Sequence, residues 1–332
     1  MAKLVAAMAS SHAFTLVDPE QWDELRERNR AGYKRRYGVE PPQHPKISEE
    51  DLAGLRLRYG RVRAGLDELR RSLHEQRPDA LILIGDDQNE NFKEEHLPQI
   101  AIYLGAEVFT SERGEGGPRR HQRYRCHAGL AQGLLDGLVE REFDLSFSQA
   151  FPDSQLLSHA HGPIMERMIP QADIPVVLIF VNAIHLPAIG PGRCYRLGQA
   201  IREVIEEQKA AERVVLYASG GLSHFTAGYP WRHYHGPYTY GSISEEFDRR
   251  ALELMARGEG ERLALLSSRD LLEHGDVELR SWITLLGAVG KRPAKVLAYE
   301  PFYRALMGMA VAYWGMEEDE GSRVKGVKGS RE

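Results

Sequence analysis

The sequence predicts an α/β fold: a single domain with a mostly parallel or mixed central sheet flanked by helices. Three observations predict it. Four short runs are almost continuous in apolar residues, as strands buried on both faces are. Amphipathic stretches with apolar residues at i, i+3 and i+4 lie between them. Polar, titratable residues collect where the runs end, and in open α/β sheets the carboxyl ends of strands are where ligands sit.

Taken in order, the first strand is KLVAAMA (3–9), which runs into Ser10-Ser11-His12. Residues 17–50 form a polar excursion rich in Arg and Tyr. It reads either as a solvated helix and loop or as a lid insertion, in which Tyr33, Arg35 or Arg36 meets an acidic substrate. A helix follows over 51–76, then the strand ALILIGD (80–86), which ends in GDDQNENF (85–92). The segment 110–129 reads as irregular and exposed. The strand IPVVLIFVN (174–182), a helix over 194–208, the strand RVVLYASGG (213–221) and a helix over 244–258 continue the alternation. A last apolar helix lies within 274–289. The tail 317–332 has almost no apolar residues and is expected to be disordered, which leaves 1–316 as the single folded domain.

Composition narrows the function. With 332 residues, 42% hydrophobic and 27% charged, the chain has the balance of an ordinary globular protein. A net charge of −5 gives no reason to expect nucleic acid or an anionic membrane. No run approaches the roughly 20 apolar residues of a spanning helix, and no basic segment precedes the first apolar run as in a secretory signal. Cys126 and Cys194 lie far apart and form no metal-binding pair, which suits a reducing cytoplasm.

Four histidines stand out by context. His12 follows a buried strand, His159 and His161 share SHAHGP, and His224 sits in SGGLSHF behind paired glycines. Any one of them alone reads as an ordinary hydrogen-bonded loop residue. Glu278 opens an apolar helix on the same face as Trp282 and Leu285, so its carboxylate is expected to turn inward. A buried carboxylate is costly unless a partner offsets it. Arg280, another cation or a metal ion would do so.

These residues give the chain a resemblance to the class III extradiol ring-cleaving dioxygenases, the group of the protocatechuate 4,5-dioxygenase catalytic subunit. It is carried in order by SSHAF (10–14), AHGPIMERM (160–168), IPVVLIFVNAIHLPAIGPGRCYRLGQAI (174–201), ASGGLSHF (218–225), SEEFDRRAL (244–252) and VELRSWITLLGA (277–288). The resemblance implies a non-haem Fe(II) site built from two histidines and a glutamate, open to a catechol-like aromatic acid and O₂. It makes His12 and Glu278 metal ligands, His224 the acid–base histidine and His161 a second histidine of the substrate pocket. Such relatives pair with themselves or with a small second subunit, so a homo-oligomer or a small partner is implied.

One position departs from the family pattern. Where the second histidine ligand is expected, this chain has Gln88, whose neutral amide is a poorer donor. Gln88 can still ligate, or Glu90 two residues on can replace it on the same face of an extended segment. Asp86 and Asp87 are further oxygen donors, Asp87 better suited to a supporting part, and His96 would need the chain to fold back. An oxygen-rich set favours Fe(II), Mn(II) or another hard divalent ion. Two rivals follow: a metal-dependent hydrolase or lyase on the same fold, and a non-catalytic subunit that has lost its metal.

Overall fold

A computed structural model describes residues 1–114, 117–152, 157–227, 234, 236 and 238–316, without the side chains of 111–120. The expectation for the tail 317–332 lies outside the described residues. Along the chain the strands are β1 (Lys3–Ser10), β2 (Ala80–Gly85), β3 (Ile100–Tyr103), β4 (Glu107–Gly114), β5 (Gly117–Arg125), β6 (Ser146–Ser148), β7 (Val176–Val181), β8 (Arg213–Ser219), β9 (Lys295–Phe302) and β10 (Met307–Gly315). The helices are α1 (Trp22–Tyr37), α2 (Leu52–Glu75), α3 (Ala128–Glu140), α4 (Gly162–Met168), α5 (Pro191–Glu207), α6 (Glu245–Ala256), α7 (Ser268–Glu273) and α8 (Leu279–Val289).

Eight strands form one mixed sheet in the order β6-β3-β7-β2-β8-β1-β10-β9. The four apolar runs of the sequence are its four central neighbours, β7, β2, β8 and β1, and they are mutually parallel. Successive side chains of a strand face opposite ways. Leu81, Leu83, Val215 and Tyr217 accordingly pack with α2 and α4, while Ile82, Ile84, Val214 and Leu216 pack with α3, α5 and α8. Both faces are therefore covered, as the unbroken apolar runs require. The antiparallel strands are outside this centre: β3 against β7, and β10 against β1 and β9.

Segment 110–129 is not irregular. β4 and β5 pair antiparallel as a separate two-stranded sheet, and α3 begins at Ala128. The 17–50 excursion carries α1, whose first residue, Trp22, is fully buried. The Trp22 indole donates to the carbonyls of Phe14 (3.2 Å) and Val17 (2.9 Å) and packs against Tyr59 and Phe302. Farther along α1, the Arg36 guanidinium donates to the Ala227 carbonyl in the loop after His224. α2 starts where Asp51 caps it, accepting from the Gly54 amide at 2.7 Å.

Candidate metal centre

β1, β2 and β8 are neighbours and parallel, so their carboxyl ends lie together. β1 delivers His12, β2 delivers Asp86, and β8 delivers Ser219 followed by Gly220 and Gly221. α8 then presents its N-cap residue, Glu278, to the same place. Among the described residues His12, Asp86 and Glu278 offer ligand atoms that all lie within 4.8 Å of one another, and all three are buried.

Each of the three is held. His12 Nδ1 meets Ser219 Oγ at 3.1 Å, which leaves Nε2 3.4 Å from Glu278 Oε2. Glu278 Oε2 also accepts from the Gly221 amide at 2.9 Å, and the Trp282 indole of α8 donates to the Gly220 carbonyl at 2.8 Å. Gly221 has φ 60°, and a Cβ there would come within 2.8 Å of Asp276 Oδ1, so glycine is needed for the close approach. The other Glu278 oxygen, Oε1, lies 3.4 Å from His224 Nε2, while His224 Nδ1 donates to the Leu222 carbonyl at 2.8 Å.

Charge in this buried space is lopsided. Burial and the Glu278 charge push Asp86 well above the usual carboxylate range. Burial opposes ionisation of Glu278, but His12 and His224 outweigh it and hold that carboxyl low. Burial brings the His12 imidazole down to about 4 even with Glu278 beside it. His224 is driven the other way, to about 9, because the Glu278 carboxylate overcomes the cost of burial. Asp86 Oδ1 is buried with no hydrogen-bond partner. One imidazole, two carboxylates and that orphaned oxygen suit a hard divalent ion such as Fe(II) or Mn(II).

Arg280 does not relieve Glu278. Its guanidinium turns away, donating to the carbonyls of Ile189 (2.7 Å) and Val277 (2.8 Å). Gln88 does reach the centre: its amide nitrogen donates to Asp86 Oδ2 at 3.2 Å and to Glu278 Oε1 at 3.0 Å. Glu90 is not brought into the group with His12 and Glu278. Its Oε1 lies 2.5 Å from His159 Nδ1 and its Oε2 accepts from the Gln88 amide at 2.8 Å, so both oxygens are engaged elsewhere. Asp87 caps the turn after β2, accepting from the amides of Asn91 (2.8 Å) and Phe92 (3.1 Å).

His161 is fully buried, with Nε2 on the Ile179 carbonyl at 3.1 Å and its ring 4.3 Å from that of Phe180. Burial lowers its pKa to about 4. His159, two residues earlier, instead sets its ring edge-on to His12 at 4.7 Å. His96 Nε2 lies 3.5 Å from Ser146 Oγ on the edge strand. Behind His224, buried Asp248 accepts from the Ser223 amide (3.1 Å), the Ser223 hydroxyl (2.9 Å) and the Tyr299 hydroxyl (2.7 Å) and fixes the loop. Sequence reasoning named Asp86 and His159 without choosing them and missed Asp248 and Ser219. The signal for Asp86 was its place directly after a buried strand.

Residues 44–313 match the family described as the catalytic LigB subunit of aromatic ring-opening dioxygenase. Gallate dioxygenase of Pseudomonas putida is 29% identical over 184 residues, 54% of this chain and 50% of that protein. A 2,3-dihydroxyphenylpropionate/2,3-dihydroxicinnamic acid 1,2-dioxygenase of Comamonas testosteroni is 30% identical over 160 residues, 47% of this chain and 46% of that protein. The chain thus spans about half the length of the curated relatives it matches. The crystal structure of an uncharacterized Escherichia coli K12 protein aligns with a TM-score of 0.49 and 14% identity, covering 94% of this chain and 100% of that one. No helix among the described residues is long and apolar enough to cross a membrane. On the family match, the chain belongs to the LigB family of aromatic ring-opening dioxygenases.

Proposed function

We propose that this protein is a metal-dependent, extradiol-type dioxygenase that opens the ring of a catechol-like aromatic acid. The observation that carries the reading is the convergence of His12, Asp86 and Glu278 on one buried point, with His224 on the far oxygen of Glu278. Bound there, Fe(II) would acidify the catechol hydroxyls and pass electron density from ring to O₂. Mn(II) suits the same donors. His12, Asp86 and Glu278 would hold the ion.

His224 has the proton-handling part. Its Nδ1 is committed to the Leu222 carbonyl, so Nε2 is the atom through which a proton would pass. With a divalent ion drawing on the Glu278 charge, the imidazole would be released to take a substrate hydroxyl proton and later return it. Glu278 stabilises the imidazolium while the proton is held. An arginine of segment 17–50, which Arg36 ties to the loop after His224, would meet the substrate carboxylate, since a guanidinium binds it through two parallel donors. Segment 17–50 would then act as part of a lid. The setting is a reducing compartment, consistent with two free cysteines, and the assembly is a homo-oligomer or a pair with a small subunit.

The test is anaerobic purification, loading with Fe(II), and a panel of catechol acids followed by O₂ uptake and ring-fission absorbance. Uptake matched to product supports the reading. Turnover of the panel without O₂ would replace it with a metal-dependent hydrolase or lyase, a reading kept in view by the oxygen-rich donor set. Failure to bind any divalent ion would leave a scaffold subunit.

A further inference from the structure

We infer that His159, held by Glu90, supplies the second imidazole to the metal and so takes over the place that Gln88 cannot fill. The inference rests on the metal-dependent reading above and concerns which side chains of this chain complete the ion's shell.

Four observations point to it. The first is position: the His12 and His159 rings meet edge-on with centroids 4.7 Å apart, so His159 borders the group formed by His12, Asp86 and Glu278. The second is orientation. Histidines that bind metals give their other ring nitrogen to a carboxylate, a carbonyl or a water, which fixes the ring and the tautomer. His159 has that arrangement, with Nδ1 on Glu90 Oε1 at 2.5 Å, and Nε2 is left as the donor. His12 is built alike, with Nδ1 on Ser219 and Nε2 toward Glu278.

The third is anchoring. Ser158 Oγ donates to the carbonyl of Asp86 at 2.7 Å, and the Ser158 amide donates to Asn91 Oδ1 at 2.9 Å. The segment that carries His159 is therefore pinned to the strand end that carries Asp86. Glu90 closes the frame by accepting from the Gln88 amide. The fourth is the split within SHAHGP: His161 is spent on the Ile179 carbonyl beneath Phe180, whereas the His159 ring stands against that of His12 at the edge of the group. Two imidazoles with two carboxylates would balance a divalent charge and still leave positions open for substrate and O₂.

The test uses the full chain loaded with Co(II), whose paramagnetism shifts the ring N–H protons of ligated histidines out of the ordinary proton spectrum. Wild type should show two exchangeable shifted resonances, and His159→Gln only one. The Co(II) dissociation constant of His159→Gln should rise at least about 10-fold, the lower end of what loss of a mere supporting partner causes. Glu90→Gln should weaken binding while both resonances persist. The double variant Gln88→His/His159→Gln, with the imidazole returned to position 88, should regain the second resonance and most of the affinity. A single resonance in wild type, or His159→Gln with unchanged count and affinity, overturns the inference. If wild type opens a catechol ring but shows one ligated imidazole, only this assignment falls. If wild type binds no Co(II), the metal-dependent reading falls with it.

Discussion

Glu278 and His224 touch through one carboxylate oxygen, yet the two side chains should fail in different ways when removed. Glu278 faces His12 with Oε2 and His224 with Oε1. Replacing it by Ala removes the proposed charged ligand and leaves the His224 imidazole without its carboxylate. Glu278→Ala should therefore lower Fe(II) affinity by more than about 100-fold, above the range for outer partners, read as metal content after desalting. His224→Ala leaves His12, Asp86 and Glu278 in place and should keep the metal. Its turnover of a catechol acid should fall by about 10²- to 10⁴-fold, the usual worth of a positioned acid–base group. Normal metal content in Glu278→Ala, or normal turnover in His224→Ala, would reject the respective role. At this scale the sequence pointed to His12 and Glu278 because each interrupts an apolar pattern at its end. The choice between Gln88 and Glu90 was not legible: the chain turns after Asp86, Asn89 has φ 66°, and an extended-strand argument fails there.

The helix that carries Glu278 is itself placed by an unusually close helix pair. A Cβ on Gly198 of α5 would lie 1.8 Å from the Thr284 carbonyl of α8, and a Cβ on Gly287 of α8 would lie 1.9 Å from the Tyr195 carbonyl of α5. The two backbones touch through reciprocal glycines, and neither neighbour is a side chain that can swing aside. Gly287→Ala should cost about 1–3 kcal/mol, the range for an overfilled core. It should lower the urea midpoint with the slope unchanged; an unaltered midpoint would show that the helices can part freely. The same element scale explains what the sequence revealed of the fold. β7, β2, β8 and β1 are apolar on both faces, so their runs stand out. β3 and β6 have 4 and 3 residues, too few for a period to register. β10 is buried, but six of its nine residues are Met, Gly or Ala and only Val311 is β-branched, and β9 is half-exposed and contains Pro301.

Across the whole molecule, distant parts of the chain are tied together by charge at the surface and by donors at the centre. Asp23 of α1 accepts from Arg304, in the turn between β9 and β10, at 2.7 Å, and Arg304 holds the Asp23 carboxyl down to about 2. A folded-state pKa below the unfolded value stabilises the protein above the unfolded pKa of 3.8, and the gain is lost as pH falls from there toward 2. Asp23 is partly exposed, so screening limits the pair to at most about 1 kcal/mol. Asp23→Asn should lower the melting temperature at pH 7 and leave it unchanged near pH 2. A larger tie is expected at the centre, where residues 12, 86 and 278 bring together the start, the first third and the end of the fold. The unfolded chain cannot assemble that set, so binding free energy becomes folding free energy. At free metal 100 times the dissociation constant the gain is about 2.7 kcal/mol. At roughly 1.4 °C per kcal/mol for a chain of 332 residues, anaerobic Fe(II) or Mn(II) should raise the melting temperature by about 4 °C. A chelator should reverse the shift, and Glu278→Ala should abolish it. A rise that survives in Glu278→Ala would place the ion elsewhere on the protein and remove the centre from the mechanism.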